Sequence, residues 1–254
     1  MQGDELAYSR YGDAPEAVLL LHSLALDRRM WPDVFIDRVA AERTVIACDL
    51  PGHGQSPLAG ARTIEDMADR VAALLDALGL AAVAVVGLSM GGCVAQALAV
   101  RHPQRVRGLG LVDTTAWYGE DAPAKWAERA DRARREGLHA LAEFQASRWL
   151  TEGFRREHPD VLKGLLDIFT QMSIDDYAAA CSAMGAVDLR AGLAGITCPT
   201  AVAVGEHDYA TPVEFATLIA KSVPGASLTV LPDASHLSVV ERPDAVVDAV
   251  REAL

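Results

Sequence analysis

The chain has 254 residues, is 51% hydrophobic, and carries 23 Lys and Arg against 35 Asp and Glu, a net charge of −12. That length and apolar content suffice to bury one sizeable core, and 23% charged residues is ordinary for a soluble domain. An acidic surface keeps the protein soluble and repels phosphate backbones and anionic lipid. It therefore speaks against nucleic acid and membrane partners and for a small-molecule substrate; an anionic substrate would need a local cation in its pocket.

The opening MQGDELAYSR has neither a basic n-region nor an apolar h-region, and no apolar run approaches the roughly 18 residues of a membrane span. The four cysteines, Cys48, Cys93, Cys181 and Cys198, are scattered without a CxxC pair. They are expected to be reduced, mostly buried thiols in a cytoplasmic protein. No metal or cofactor site is expected, and the oligomeric state is expected to be a monomer or small homo-oligomer.

In chain order, AVLLL at 17–21 and TVIAC at 44–48 are buried strand candidates. Residues 63–78 place Ile64, Met67, Val71, Leu74, Leu75 and Leu78 on one face at helical spacing. Thr63 is the N-cap candidate, with Asp66 three residues on, and Gly79 the stop. A strand at 82–87, a helix at 90–101 and a strand at 106–112 follow. From 116 to 187 only helical periodicity is found. The alternation resumes with a strand at 200–204, a helix at 212–222, a strand at 227–231 and a helix at 243–253. This pattern predicts an α/β fold with a mostly parallel open sheet and helices on both faces. The core is expected at 1–115 and 188–254. The inserted block, 116–187, is expected to cap the carboxyl edge of the sheet, where such sheets bind ligands.

The chemistry starts at GLSMG, Gly87 to Gly91, a G-x-S-x-G stretch directly between a strand and a helix. The bare motif is weak; its context makes it strong. Such an elbow pushes the serine Oγ out over the sheet, and bulkier residues two positions either side would collide. The helix that follows favours negative charge beside the serine. A serine hydroxyl needs a base, and the base an orienting acid, in the chain order Ser, Asp or Glu, His. TAVAVGEHDYATP is a strand and a loop holding Asp208, and LTVLPDASHLSVVERP is a strand and a loop holding His236. The reading is Ser89 as nucleophile, His236 as base and Asp208 as acid, with Glu206 and Asp113 as the other acid candidates. Among the remaining histidines, His102 reads as a helix end, His139 and His158 as solvated, and His207 as structural. His22 reads as packing behind the oxyanion loop, and His53, in DLPGHGQS, as scaffold. Oxyanion donors are expected from the N–H of Met90, just after the nucleophile, and from that of Leu24 in the loop LLLHSLALDRRMW.

Across nearly its full length the chain resembles the α/β-hydrolase superfamily, through HSLALDRRMW, DLPGHGQS, GLSMGG, VGEHDYATP and ASHLSVVERP. More narrowly it resembles the 3-oxoadipate enol-lactonase branch, enzymes that open an enol-lactone ring to a keto diacid. The stretches that carry this are HSLALDRRMW, SRWL, DDYAAACSAMGAVDLRAGLAGITCPT and LPDASHLSVVERP. Ala25-Leu26 stands where that branch more often has Gly-Thr. The resemblance implies a Ser89–His236–Asp208 triad under a helical cap. Arg148 and Trp149 in SRWL are the candidates for substrate recognition, the arginine for a carboxylate and the tryptophan as an apolar wall. Other chemistries that share the triad are broad carboxylester hydrolysis, carbon–carbon bond hydrolysis and hydroxynitrile cleavage. A binding module that kept the fold and lost turnover is the reading from a different class.

Overall fold

The computed structural model describes residues 5–254. Seven strands form one sheet: β1 (Tyr8–Tyr11), β2 (Ala17–Leu21), β3 (Thr44–Cys48), β4 (Val83–Leu88), β5 (Val106–Val112), β6 (Thr200–Gly205) and β7 (Ser227–Leu231). Their spatial order is β1-β3-β2-β4-β5-β6-β7. Only β1 runs antiparallel to its neighbour; the pairs from β3 to β7 are parallel. β2, β3, β4 and β6 are buried along their whole length, as expected of strands covered on both faces.

The connections explain the covering. From β2 the chain passes through α1 (Asp33–Ala40) to β3, then through α2 (Ile64–Ala77) back past β2 to β4, then through α3 (Met90–Arg101) to β5. A right-handed crossover that reverses direction changes face. α1 thus lies on one face, packed on α11 (Pro243–Val250), and α2 and α3 pack together on the other. Thr63 closes a capping box on α2: its hydroxyl accepts from the Asp66 N–H at 3.0 Å, and the Asp66 carboxylate accepts from the Thr63 N–H at 3.0 Å. Such a cap contributes about 1 kcal/mol. Gly79 follows the helix at φ +67°, a conformation that favours glycine.

Between β5 and β6 the chain runs only through helices: α4 (Ala122–Glu136), α5 (Ala142–Trp149), α6 (Glu152–Glu157), α7 (Pro159–Gln171) and α8 (Ile174–Ala186). The segment leaves and returns at a pinch, where Trp117 bridges Asp188 and the Leu189 N–H donates to the Ala116 carbonyl at 2.9 Å. Beyond β6 come α9 (Val213–Ser222), β7, the short α10 (Ser238–Glu241) and α11.

The observed elements depart from expectation at a few places. β1 and α1 lie outside the expected elements. The last helix ends at Val250, and residues 251–253 tighten into a 3-10 turn. Cys48, Cys93 and Cys181 are buried free thiols, and Cys198 is half-buried. Among the described residues, no helix is long and apolar enough to cross a membrane.

Candidate active site

The strand order reverses at β2, so the loops leaving the carboxyl ends of β2 and β4 diverge from neighbouring strands. A ligand crevice belongs at such a switch point. Leu21 and Gly87 are register partners there, and the Gly91 N–H donates to the His22 carbonyl at 3.1 Å, stitching the two loops together.

Ser89 sits between β4 and α3 at φ 55°, ψ −116°, a strained conformation for a residue with a side chain. Two contacts hold it: its N–H donates to the Val112 carbonyl at 2.9 Å, and the Thr114 hydroxyl donates to its carbonyl at 2.6 Å. The flanking glycines are required by backbone crowding. A Cβ on Gly87 would overlap the Gly91 carbonyl, and one on Gly91 would overlap the Leu21 carbonyl. The second collision is with the β2 strand end, a partner the local motif does not reveal.

The structure brings Ser89, His236 and Asp208 together, all at most 5% exposed. His236 Nε2 lies 2.9 Å from Ser89 Oγ, and His236 Nδ1 lies 2.9 Å from Asp208 Oδ2. An ionised carboxylate can only accept, so the proton rests on Nδ1 and Nε2 accepts from the Ser89 hydroxyl. Asp208 also accepts from the Ala210 N–H at 2.8 Å and, through both oxygens, from the Thr211 N–H at 2.9 Å and hydroxyl at 2.7 Å. Burial alone would raise its pKa; the charge and hydrogen bond of His236 and the Thr211 donors outweigh it, so Asp208 lies below the ordinary carboxylate value. Burial likewise lowers His236, but the Asp208 charge and hydrogen bond prevail and raise it above its ordinary value of 6.5.

The two other acid candidates sit elsewhere. Glu206 is exposed. Asp113 is fully buried, but its oxygens accept from the Gly205 N–H and the Ser238 N–H, each at 2.9 Å, and not from the imidazole. Burial and the Asp208 charge push it up to about 8. Its bonds tie the start of the Asp208 loop to the end of the His236 loop, a function that chain order alone does not disclose.

Leu24 and Met90 flank Ser89 from the two loops. Among the described residues, neither of their N–H groups has an acceptor. His22 packs behind this loop, its Nε2 accepting from the Leu50 N–H at 2.9 Å and its Nδ1 2.8 Å from the Ser23 carbonyl. His53 is buried beside it, with ring centroids 5.1 Å apart. His139, His158 and His207 are exposed, and His102 sits 2.7 Å from Asp69 at the end of α3.

Above Ser89 lies a cavity of about 620 Å³, bounded below by Ser23, Leu24 and His236 and above by residues of α4 and α5. Arg148 and Trp149 both line it. Trp149 does double duty: it is buried edge-on against Phe169 at 5.7 Å and still walls the cavity. Arg148 is half-buried, its guanidinium stacked over Phe144 at 4.4 Å and Tyr209 at 4.7 Å. A second cavity arginine, Arg129, was not singled out from sequence, where it is one of many charges in ERADRARREG. It donates to the Tyr177 hydroxyl at 2.6 Å and to Gln145 Oε1 at 2.9 Å, and stacks over Trp126 at 4.9 Å. Among the described residues, neither arginine forms an ion pair. Burial and the Arg129 charge both lower the proton affinity of Arg148. Two unneutralised guanidiniums facing one pocket favour a negative ligand.

Residues 16–243 match the family model described as the alpha/beta hydrolase fold. A curated relative from Acinetobacter baylyi, 3-oxoadipate enol-lactonase 2, is 33% identical over 98% of this chain and 92% of its own. The solved structure of the enol-lactonase from Burkholderia xenovorans LB400 superposes with a TM-score of 0.92 at 37% identity, covering 99% of this chain and 98% of that one. A thermophilic esterase from Thermogutta terrifontis, solved with malate bound, superposes with a TM-score of 0.89 at 35% identity, covering 97% and 92%. Matched in sequence over most of its length and in structure over nearly all of it, this chain belongs to the alpha/beta hydrolase family.

Proposed function

We propose that this protein hydrolyses carboxylic esters or lactones, and that its substrate is an enol-lactone or lactone bearing a carboxylate. The observation that carries the reading is the Ser89–His236–Asp208 chain of 2.9 Å contacts at the floor of the cavity.

In this reading His236 Nε2 takes the Ser89 proton as Oγ attacks the carbonyl carbon. The N–H groups of Leu24 and Met90 hold the oxyanion as it forms. The ring C–O bond breaks, and the alkoxide or enolate takes the proton from His236. Water, deprotonated by the same Nε2, then splits the acyl-enzyme and leaves a new carboxylate. Asp208 keeps the imidazole in the Nδ1–H tautomer and offsets its transient charge. Residues 116–187 act as the cap. Arg148 and Arg129 supply the cation that a net charge of −12 denies to the rest of the surface, and Trp149 forms the apolar wall.

Similarity to enol-lactonases and the unpaired arginines favour the lactone reading; similarity to the thermophilic esterase favours open-chain esters on the same triad. Turnover of a carboxylate-bearing enol-lactone, a neutral lactone and simple esters by the purified protein separates them. A higher kcat/KM for the anionic lactone is expected. Preference for neutral esters would favour the second reading, and no turnover of any of them would remove both.

A further inference from the structure

The His236 loop does not stand alone. It is laced to the corner of chain that carries Arg148 and Trp149. The Leu237 N–H donates to the Trp149 carbonyl at 2.8 Å, and the Ser235 hydroxyl to the Arg148 carbonyl at 3.2 Å. One side chain joins both sides. Glu241 Oε1 accepts from the Thr151 N–H at 2.8 Å and hydroxyl at 2.7 Å, while Oε2 accepts from the Ser235 N–H, next to His236. Glu241 is 8% exposed and, among the described residues, forms no ion pair. It sits at the last position of the one-turn α10, just before Arg242, the N-cap of α11. This buried side chain is held by three neutral donors, two from the cap side and one from the base side.

We propose that Glu241 is a positioning residue that keeps the imidazole of His236 in register with the substrate-facing corner at Arg148 and Trp149; this rests on the triad reading above. The carboxylate has enough acceptor sites for all three donors. A glutamine has one oxygen, so its NH2 must face either the Ser235 N–H or the Thr151 N–H, donor against donor. The loop on that side then drifts. A misplacement near 1 Å at a reacting group costs up to about 100-fold in rate.

The test is Glu241→Gln beside Ser89→Ala. The expected result for a folded Glu241→Gln protein is a kcat lowered by about 10- to 100-fold, with the acid limb of kcat/KM moved to lower pH as His236 loses its hold on Asp208. A role in stability alone would lower the melting temperature and leave that limb in place. Should Glu241→Gln fail to fold, Thr151→Val removes one donor from the cap side. It is expected to raise KM for a carboxylate-bearing substrate more than it lowers kcat, and an unchanged KM would overturn the proposal. A folded Glu241→Gln protein with wild-type kcat and pH profile overturns it too. If Ser89→Ala remains fully active, the triad reading itself has failed.

Discussion

Arg148→Met keeps the long apolar stem of the side chain and removes its charge. In the structure the guanidinium stacks on Phe144 and Tyr209, at 4.4 and 4.7 Å, and has no acidic partner among the described residues. Losing two such stacks costs about 1–2 kcal/mol at most, so the variant is expected to fold. What it loses with an anionic substrate is a charge-assisted hydrogen bond, worth about 1.5–3 kcal/mol, or roughly 10- to 150-fold in KM. The reacting bond is untouched, so kcat is expected to stay within a few-fold. The assay compares KM for a carboxylate-bearing lactone with KM for its methyl ester, in both proteins. The wild type is expected to prefer the free acid, and Arg148→Met to lose most of that preference. Equal KM values for the acid in the two proteins would refute the assignment of Arg148. Loss of the preference in Arg129→Met instead would move the carboxylate to the second arginine.

Catalysis needs the unprotonated imidazole, and His236 is raised above 6.5, so kcat/KM is expected to fall on acidification with an inflection above 6.5. Asp208→Asn should move it lower, and an inflection near 5 in the wild type would contradict the assigned electrostatics. Stability has its own pH dependence. Burial holds His22 down to about 4 and His53 to about 3, so both stay neutral in the fold and bind protons on unfolding below pH 6.5. His236 is charged in both states there and does not contribute to the slope. Asp113, pushed up to about 8, keeps a proton in the fold that it gives up on unfolding, so the net uptake of one proton corresponds to about 1.4 kcal/mol of lost stability per pH unit between about 6 and 4. Denaturant titrations should show this, and His53→Gln should remove most of it; an unchanged slope in His53→Gln would refute the buried neutral histidine there. Finally, Ala25 stands at φ +60° where the enol-lactonase branch more often has glycine. Ala25→Gly is expected to relieve about 0.5–1 kcal/mol net and raise the melting temperature by a degree or two; a fall would show that the strain is absent.

The sequence was most legible where local chemistry and topology coincide. GLSMG between a strand and a helix, Asp208 after one strand and His236 after another define a convergent site because every strand from β2 on points its carboxyl end at one rim. The edges were less legible. β1 is a four-residue, largely exposed edge strand, so its residues show no buried alternation. α1 is eight residues long with only Phe35, Ile36 and Val39 buried, too short to stand out from the loop before it. Asp113 competes with Asp208 in sequence because both follow strands; only the fold brings the Gly205 and Ser238 amides onto its oxygens. Arg129 and Glu241 were invisible for a related reason. Arg129 is one charge among many on its helix and Glu241 ends a short turn, and the importance of each comes from partners elsewhere in the chain, Tyr177 and Gln145 for one and Thr151 for the other.

The central claim is that the Ser89 hydroxyl is activated by His236 at neutral pH. Reaction with a fluorophosphonate, followed by peptide mass analysis, tests it most directly. The account predicts one adduct, on Ser89, forming faster as pH rises through the His236 pKa and strongly slowed in His236→Ala. An unlabelled Ser89 in a protein that still hydrolyses its substrate, or labelling indifferent to His236, would contradict it.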